Sequence, residues 1–237
     1  MNDGSLTWVD RVVIDHEIMA RFPTYRVVLV AAIGVDTKAL RIVGDELVEK
    51  ANDVANSWTP DTPGPSFEHL ERWREAYRGF GANPRRTRIS VEALLRRAAQ
   101  SGLPRIGPLV DVYNAISVIH SVPIGGEDLA CYQGPARLHI AVGDEAFHTT
   151  SNREATIEHP DLGEPVWSDD VGVTCRRWNW RQTNRTAITD VTADAGFIID
   201  SLDAPDHVDA HAAAAHLVRV LQPLARSIAR SSRPEMT

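Results

Sequence analysis

Cysteine and lysine are nearly absent from this chain, with two of each in 237 residues. Cys131 and Cys175 are too few for a disulfide framework or a four-thiolate zinc site. Both sit among apolar or strand-forming residues, where buried free thiols are expected. With only Lys38 and Lys50 as lysines, almost every positive charge is a guanidinium. That is either a coding bias or a surface suited to flat, two-pronged contacts with carboxylate and phosphate. Long apolar runs are missing too, since residues 27–35 fall far short of the roughly 20 needed to span a membrane. Asp3 and Asp10 occupy the first residues with no basic segment before an apolar stretch, unlike a secretory signal. A cytoplasmic protein that does not engage membranes is expected.

Several catalytic signatures are also absent: a Gly-x-Ser-x-Gly elbow, a phosphate-binding glycine loop after a strand, and a His-Glu-x-x-His zinc helix. His207 and His211 lie four residues apart, with His216 further on, but no thiolate or carboxylate is placed to complete a metal site. The cluster Asp15, His16 and Glu17 has the same weakness. No metal and no cofactor is expected.

The composition is that of an ordinary globular protein, 43% hydrophobic and 24% charged, with a net charge of −7. A negative chain does not coat nucleic acid indiscriminately. The charge is nevertheless polarised. Residues 71–105 carry nine arginines against Glu71, Glu75 and Glu92, whereas residues 186–211 carry six aspartates and no basic residue. Arg176, Arg177, Arg181 and Arg185 interleave with Trp178 and Trp180. Such a pattern suits single-stranded nucleic acid, with guanidinium groups on phosphates and rings on bases. It equally suits a solvated helix face of Glu/Arg pairs over tryptophans that fill a core.

Hydrophobic spacing predicts a buried strand over residues 25–33 and a helix over 45–56. Prolines make residues 59–65 a loop. Further helices are expected over 66–79 with Ser66 as N-cap, over 90–102 with Ser90 as N-cap, and over 109–120, where Pro123 and the Gly125–Gly126 pair stop the pattern. Short strands follow at 136–142, 165–168, 171–175, 186–192 and 197–199. Leu217, Leu221, Leu224 and Ile228 then predict a helix over 206–229, kinked or split at Pro223. The class is α+β, with helices first, a mostly antiparallel sheet second, and a closing C-terminal helix.

Four phrases occur in order: Tyr77-Arg78-Gly79-Phe80-Gly81-Ala82-Asn83-Pro84, Ser90-Val91-Glu92-Ala93-Leu94-Leu95, Leu109-Val110-Asp111-Val112-Tyr113-Asn114, and Val122-Pro123-Ile124-Gly125-Gly126-Glu127-Asp128. Together they resemble the B3/4 module of the phenylalanyl-tRNA synthetase β subunit, in its stand-alone form. Arg176-Arg177-Trp178-Asn179-Trp180-Arg181-Gln182 is similar to a phrase of those stand-alone proteins. The resemblance covers roughly residues 20–202. It implies an N-terminal extension over 1–20, an editing-type domain over 20–202, and a C-terminal helix with a short disordered tail over 203–237.

In the synthetase this module hydrolyses tyrosine wrongly esterified to tRNA. Carried over by position, the resemblance implies a pocket lined by Tyr113, Pro123, Ile124 and Asp128. Asn114 would orient substrate or water, the Gly125 and Gly126 amides would hold the oxyanion, and Glu127 would act by hydrogen bonding or as a base. Asp111 and Asp128 each have a structural role as the alternative. Arg85, Arg86, Arg88, Arg176, Arg177 and Arg181 would hold the phosphates of a tRNA acceptor end, and no obligate protein partner is implied. Gly125 stands where the synthetase turn has histidine, and Ile198 stands near the position of its tyrosine-reading glutamate. Without those polar groups the pocket cannot select a tyrosyl hydroxyl. Three functions follow: a trans-acting deacylase for another amino acid, a binding module without chemistry, or an enzyme using aminoacyl-tRNA in biosynthesis.

Overall fold

The computed structural model describes residues 4–57, 65–151, 154–202 and 209–233. Its centre is the run expected to be a buried strand. After α1 (Gly4–Arg11), β1 (Val13–Ile14) and α2 (His16–Arg21), strand β2 (Tyr25–Ile33) buries every residue except Arg26. Val27, Val28 and Val30 fit a pleated strand covered on both faces. Helices α3 (Leu40–Ser57), α4 (Pro65–Gly79), α5 (Ser90–Ser101) and α6 (Pro108–His120) follow, and α3 packs along α6.

The second half is strand-rich. It contains β3 (Ile124–Asp128), β4 (Arg137–Ile140), the hairpin β5 (Phe147–Ser151) and β6 (Glu154–Glu158), then β7 (Pro165–Ser168), β8 (Val173–Arg176), β9 (Arg181–Gln182) and β10 (Ala195–Leu202). The chain continues through α7 (Ala210–Leu221) and a 3₁₀ turn (Gln222–Leu224) into β11 (Ser227–Arg233). One sheet has the order β11-β2-β10-β3 and is antiparallel throughout; a second has the order β1-β4-β7-β8-β9. The main hydrophobic core joins residues of both sheets to α3–α7. This is the expected α+β arrangement.

Four expectations change. The C-terminal helix ends at Leu221, not Ala229: Pro223 cannot continue it, and Ile228 lies in β11, paired with Ala32 of β2. Residues 186–192 form a loop rather than a strand, because the Thr192 hydroxyl accepts from the Thr189 N–H and donates to Asp128. Only Ala187 bridges to Glu127. β8 begins at Val173 because Asp169 holds the amides of Val171 and Gly172 in a turn. Gly125 and Gly126 lie within β3 rather than in a turn.

Smaller differences concern helix starts and thiols. Ile89 is the N-cap of α5 and Ser90 its first residue, while Ser66 lies inside α4. Of the loop expected at 59–65, only Pro65, which opens α4, is among the described residues. Cys131 is exposed and Cys175 only partly covered, so the expectation of two buried thiols fails.

The entry to β3 is fixed from outside. Ser121 caps α6 in the left-handed region (φ 56°). Buried His69 accepts from Trp73 Nε1 at 3.0 Å, which leaves its Nδ1–H to donate to the Ser121 carbonyl at 3.1 Å. Burial lowers this imidazole to about 4, so it stays neutral and keeps that tautomer at physiological pH.

Candidate functional site

Side chains alternate along a strand, so Gly125 and Glu127 of β3 share a face with Ile198 and Asp200 of the neighbouring β10. Gly125 stands opposite Ile198, and Asp200 N–H donates to the Pro123 carbonyl. These four residues line a cleft of about 460 Å³. Ser90, Leu94 and Arg97 of α5 and Tyr113 and Asn114 of α6 form one side. Trp167, Cys175, Trp178, Asn179, Trp180 and Gln182, from the second sheet and the turn between β8 and β9, form the other.

That turn is strained. Arg177 and Trp178 both have positive φ, 47° and 69°, each costing roughly 1–2 kcal/mol for a non-glycine residue. Tyr77 clamps it, donating its hydroxyl to the Arg177 carbonyl at 2.7 Å and to Asn179 Oδ1 at 3.0 Å. The Trp178 ring packs edge-on against Trp73 and Phe22 and is fully buried. Trp180 is partly buried beneath the guanidinium groups of Arg177 and Arg181.

Two carboxyls face the cleft from the sheet. Glu127 is buried and receives a hydrogen bond from Gln182 Nε2 at 2.8 Å. Burial raises it to about 8 against the pull of Thr186 and Gln182. Asp200, equally buried, accepts from the Tyr25 hydroxyl at 2.6 Å, and burial raises it to about 7. Asn114 is buried yet makes no side-chain hydrogen bond among the described residues. Its amide atoms are not among the fully enclosed partnerless ones, so they open onto the cleft, where a ligand or water can pair with them.

The resemblance-based site is thus partly assembled: Tyr113, Asn114, Ile124, Gly125 and Glu127 line the cleft, while Pro123, Gly126 and Asp128 do not. Asp128 is structural, accepting from the Ala130 amide at 2.9 Å and the Thr192 hydroxyl at 2.6 Å. Asp111 is structural as well, holding the Ile106 amide and Arg105. The paired-amide oxyanion site does not form. Gly126 O and Asp128 N–H bond outward to Gln182 and Thr186, so by ladder alternation the Gly125 N–H faces β10. Asp200, Gln182, Trp167 and Arg97 were not anticipated.

The arginines divide into two groups. Arg176 makes a two-pronged ion pair with Glu164, 2.9 Å at each contact, and reaches Glu158. Arg177 binds Glu164, Asp161 and Thr87, and Arg181 binds Glu158. Arg176 and Arg177 are thus engaged by carboxylates of the fold, while Arg181 and its partner Glu158 remain partly exposed. Arg85, Arg86 and Arg88 are exposed. Arg85 and Arg88 line a groove of about 710 Å³ with Arg74, Arg78, Arg96, Glu71 and Glu92. Helix α5 contributes Arg88's neighbour Glu92 and Arg96 to this groove and Leu94 and Arg97 to the cleft, so the two share one helix as a wall.

Among the described residues no three His, Cys, Asp or Glu side chains are grouped to hold a metal, and no helix is long and apolar enough to cross a membrane. His211 contacts Arg230 and His216 contacts His120 at 3.0 Å; His207 lies outside the described residues.

Compared with known families, residues 72–217 match the B3/4 domain. The chain belongs to the B3/4 domain family. A solved N-terminal fragment of the phenylalanyl-tRNA synthetase β subunit from Pyrococcus horikoshii is similar to this B3/4 protein at 14% identity. The match covers 95% of this chain and 55% of that one, with a TM-score of 0.46. The B3/4 chain therefore spans about half the length of that fragment. No curated protein matches it.

Proposed function

We propose that this B3/4 protein is a trans-acting aminoacyl-tRNA deacylase that releases a mischarged or non-canonical amino acid. The observation that carries this reading is the unbonded, buried Asn114 in a cleft sharing α5 with an exposed arginine groove. The cleft has room for an aminoacyl group, and the groove suits the phosphates of an acceptor end.

An aminoacyl ester is already activated, so its hydrolysis depends more on a held water than on a strong nucleophile. The water oxygen adds to the ester carbonyl carbon, the bond to the ribose oxygen breaks, and a water proton ends on that oxygen. Asn114 orients the water or the carbonyl through its amide. Glu127, held at about 8 by burial, carries its proton at neutral pH and there serves as a hydrogen-bonding group rather than a base.

The test is a deacylation screen against tRNAs charged with each standard amino acid and several non-standard ones, following release of labelled amino acid. Release from a restricted set supports the reading. Bound tRNA with no release from any ester overturns it in favour of a binding module.

A further inference from the structure

The arginine groove and the cleft are joined by more than the helix they share. Between residues 85 and 89 exposure alternates with burial: Arg85, Arg86 and Arg88 are exposed, while Thr87 and Ile89 are buried. Asn83 shapes this stretch, its carbonyl taking the amides of Arg86 and Thr87 and its side-chain oxygen the amide of Arg85. One face of the loop thus presents guanidinium groups to solvent, and the other meets the turn between β8 and β9.

Thr87 makes that contact. Its Oγ1 accepts a hydrogen bond from Arg177 Nη1 at 2.7 Å, and the same guanidinium lies over the Trp180 ring, 4.6 Å from its centroid. Trp180 lines the cleft. Three residues after Thr87, the Ser90 amide donates to the Asn179 carbonyl of the same turn at 3.2 Å. Thr87, Arg177 and Trp180 therefore form a continuous path from the arginine loop to the cleft wall. The path runs through a turn held at positive φ at both Arg177 and Trp178.

We propose that Arg177 is a positioning residue through which phosphate bound at the arginine loop sets the Trp180 wall of the cleft. The inference rests on the deacylase reading for the groove's ligand, a tRNA acceptor end, and on these contacts alone for the coupling. Arg85, Arg86 and Arg88 have no ion-pair partner among the described residues, and three like charges within four residues repel one another. Phosphate relieves that repulsion, so the loop conformation that holds Thr87 against Arg177 is more populated when the acceptor end is bound. A turn with two non-glycine residues at positive φ persists only where its surroundings hold it. Tyr77 and Glu164 supply contacts that do not depend on the groove; Thr87 supplies the one that does. The cleft then takes its working shape around an ester carried on tRNA in preference to a free one.

Hydrogen-exchange mass spectrometry with uncharged tRNA reads the coupling and needs no hydrolysis. In the wild-type protein, tRNA is expected to slow amide exchange across residues 177–182 at least about fivefold, the lower end of ordinary coupling between sites. Thr87→Val keeps the shape and removes the hydroxyl. It should abolish the slowing while tRNA affinity, set by the phosphate contacts, changes less than about twofold. Thr87→Ser should restore the slowing, and Thr87→Ala gives an independent check if Thr87→Val does not fold. With a hydrolysed ester, Thr87→Val should lower kcat about five- to tenfold and leave KM nearly unchanged. Slowed exchange that depends on Thr87, with no ester release, supports this inference while refuting deacylation. Ester release with exchange at 177–182 indifferent to tRNA refutes this inference while deacylation stands. Slowing that survives without the Thr87 hydroxyl overturns it outright.

Discussion

Gly125 and Gly126 are adjacent in the chain but look into opposite sides of β3. A side chain on Gly125 meets no atom within 4 Å, whereas one on Gly126 comes within 2.7 Å of both the Tyr113 ring and Ile188. Gly126→Ala should therefore cost roughly 1–3 kcal/mol by overpacking. Gly125→Ala should leave the fold intact and narrow the cleft. Chemical denaturation of both variants tests this: equal stability would show that the two faces are not distinct.

Asn114→Ala removes an amide with no internal partner, so stability should change by less than about 1 kcal/mol. The rate of ester release should fall by roughly 10²–10³, the usual loss of one positioned donor. Unchanged release by the folded variant removes Asn114 from the mechanism.

Arginine substitutions should separate two roles. Replacing Arg85, Arg86 and Arg88 with alanine should weaken tRNA binding and flatten its salt dependence by about two to three units of log–log slope, without lowering the melting temperature. Arg176→Ala leaves Glu164 buried without its two-pronged partner, a change costing about 3–5 kcal/mol. Filter binding over a salt series, alongside thermal melting, would refute the division if the two sets behaved alike.

Stability should fall as pH rises from about 6.5 to 8. Glu127 and Asp200 titrate near 8 and 7 in the folded protein, well above their unfolded values of about 4. The folded state thus holds more protons across that range, and raising pH favours unfolding. His69 and His216, lowered to about 4 by burial, act in the opposite direction but complete their effect near pH 6.5. Denaturation midpoints at pH 6.5 and 8.5 should differ, and Glu127→Gln should shrink the difference. A flat profile would contradict the carboxyl burial.

Much of the fold is legible where the signal is local. β2 follows from its β-branched run, and α5 and α6 from apolar spacing closed by Gly102 and Pro123. β3 escapes because Gly125 and Gly126 have little strand propensity of their own and take their conformation from β10. β11 escapes because Leu217, Leu221, Leu224 and Ile228 happen to repeat at helical spacing across Pro223. The site divides in the same way. Asn114 and Glu127 stand in phrases that the family resemblance marks, but Asp200, Gln182 and Trp167 come from three separate strands that only pairing brings together. A trace of Asp200 is nonetheless visible, as an acidic residue ending the apolar run 197–199. For Arg176, Arg177 and Arg181 the sequence displays the charges without their partners, here Glu158, Asp161 and Glu164.

The position of β2 between β10 and β11 has a consequence for biogenesis. Val30 pairs with Phe197 on one side and Arg230 on the other, so the most apolar strand emerges from the ribosome long before either neighbour exists. Its backbone ladders cannot be completed until residues 195–202 and 227–233 have been made. Contacts this distant in sequence make closure slow and leave a sticky intermediate. Refolding is therefore expected to be slower than for a chain of this size built from local contacts, a rate that stopped-flow fluorescence of the tryptophans would read.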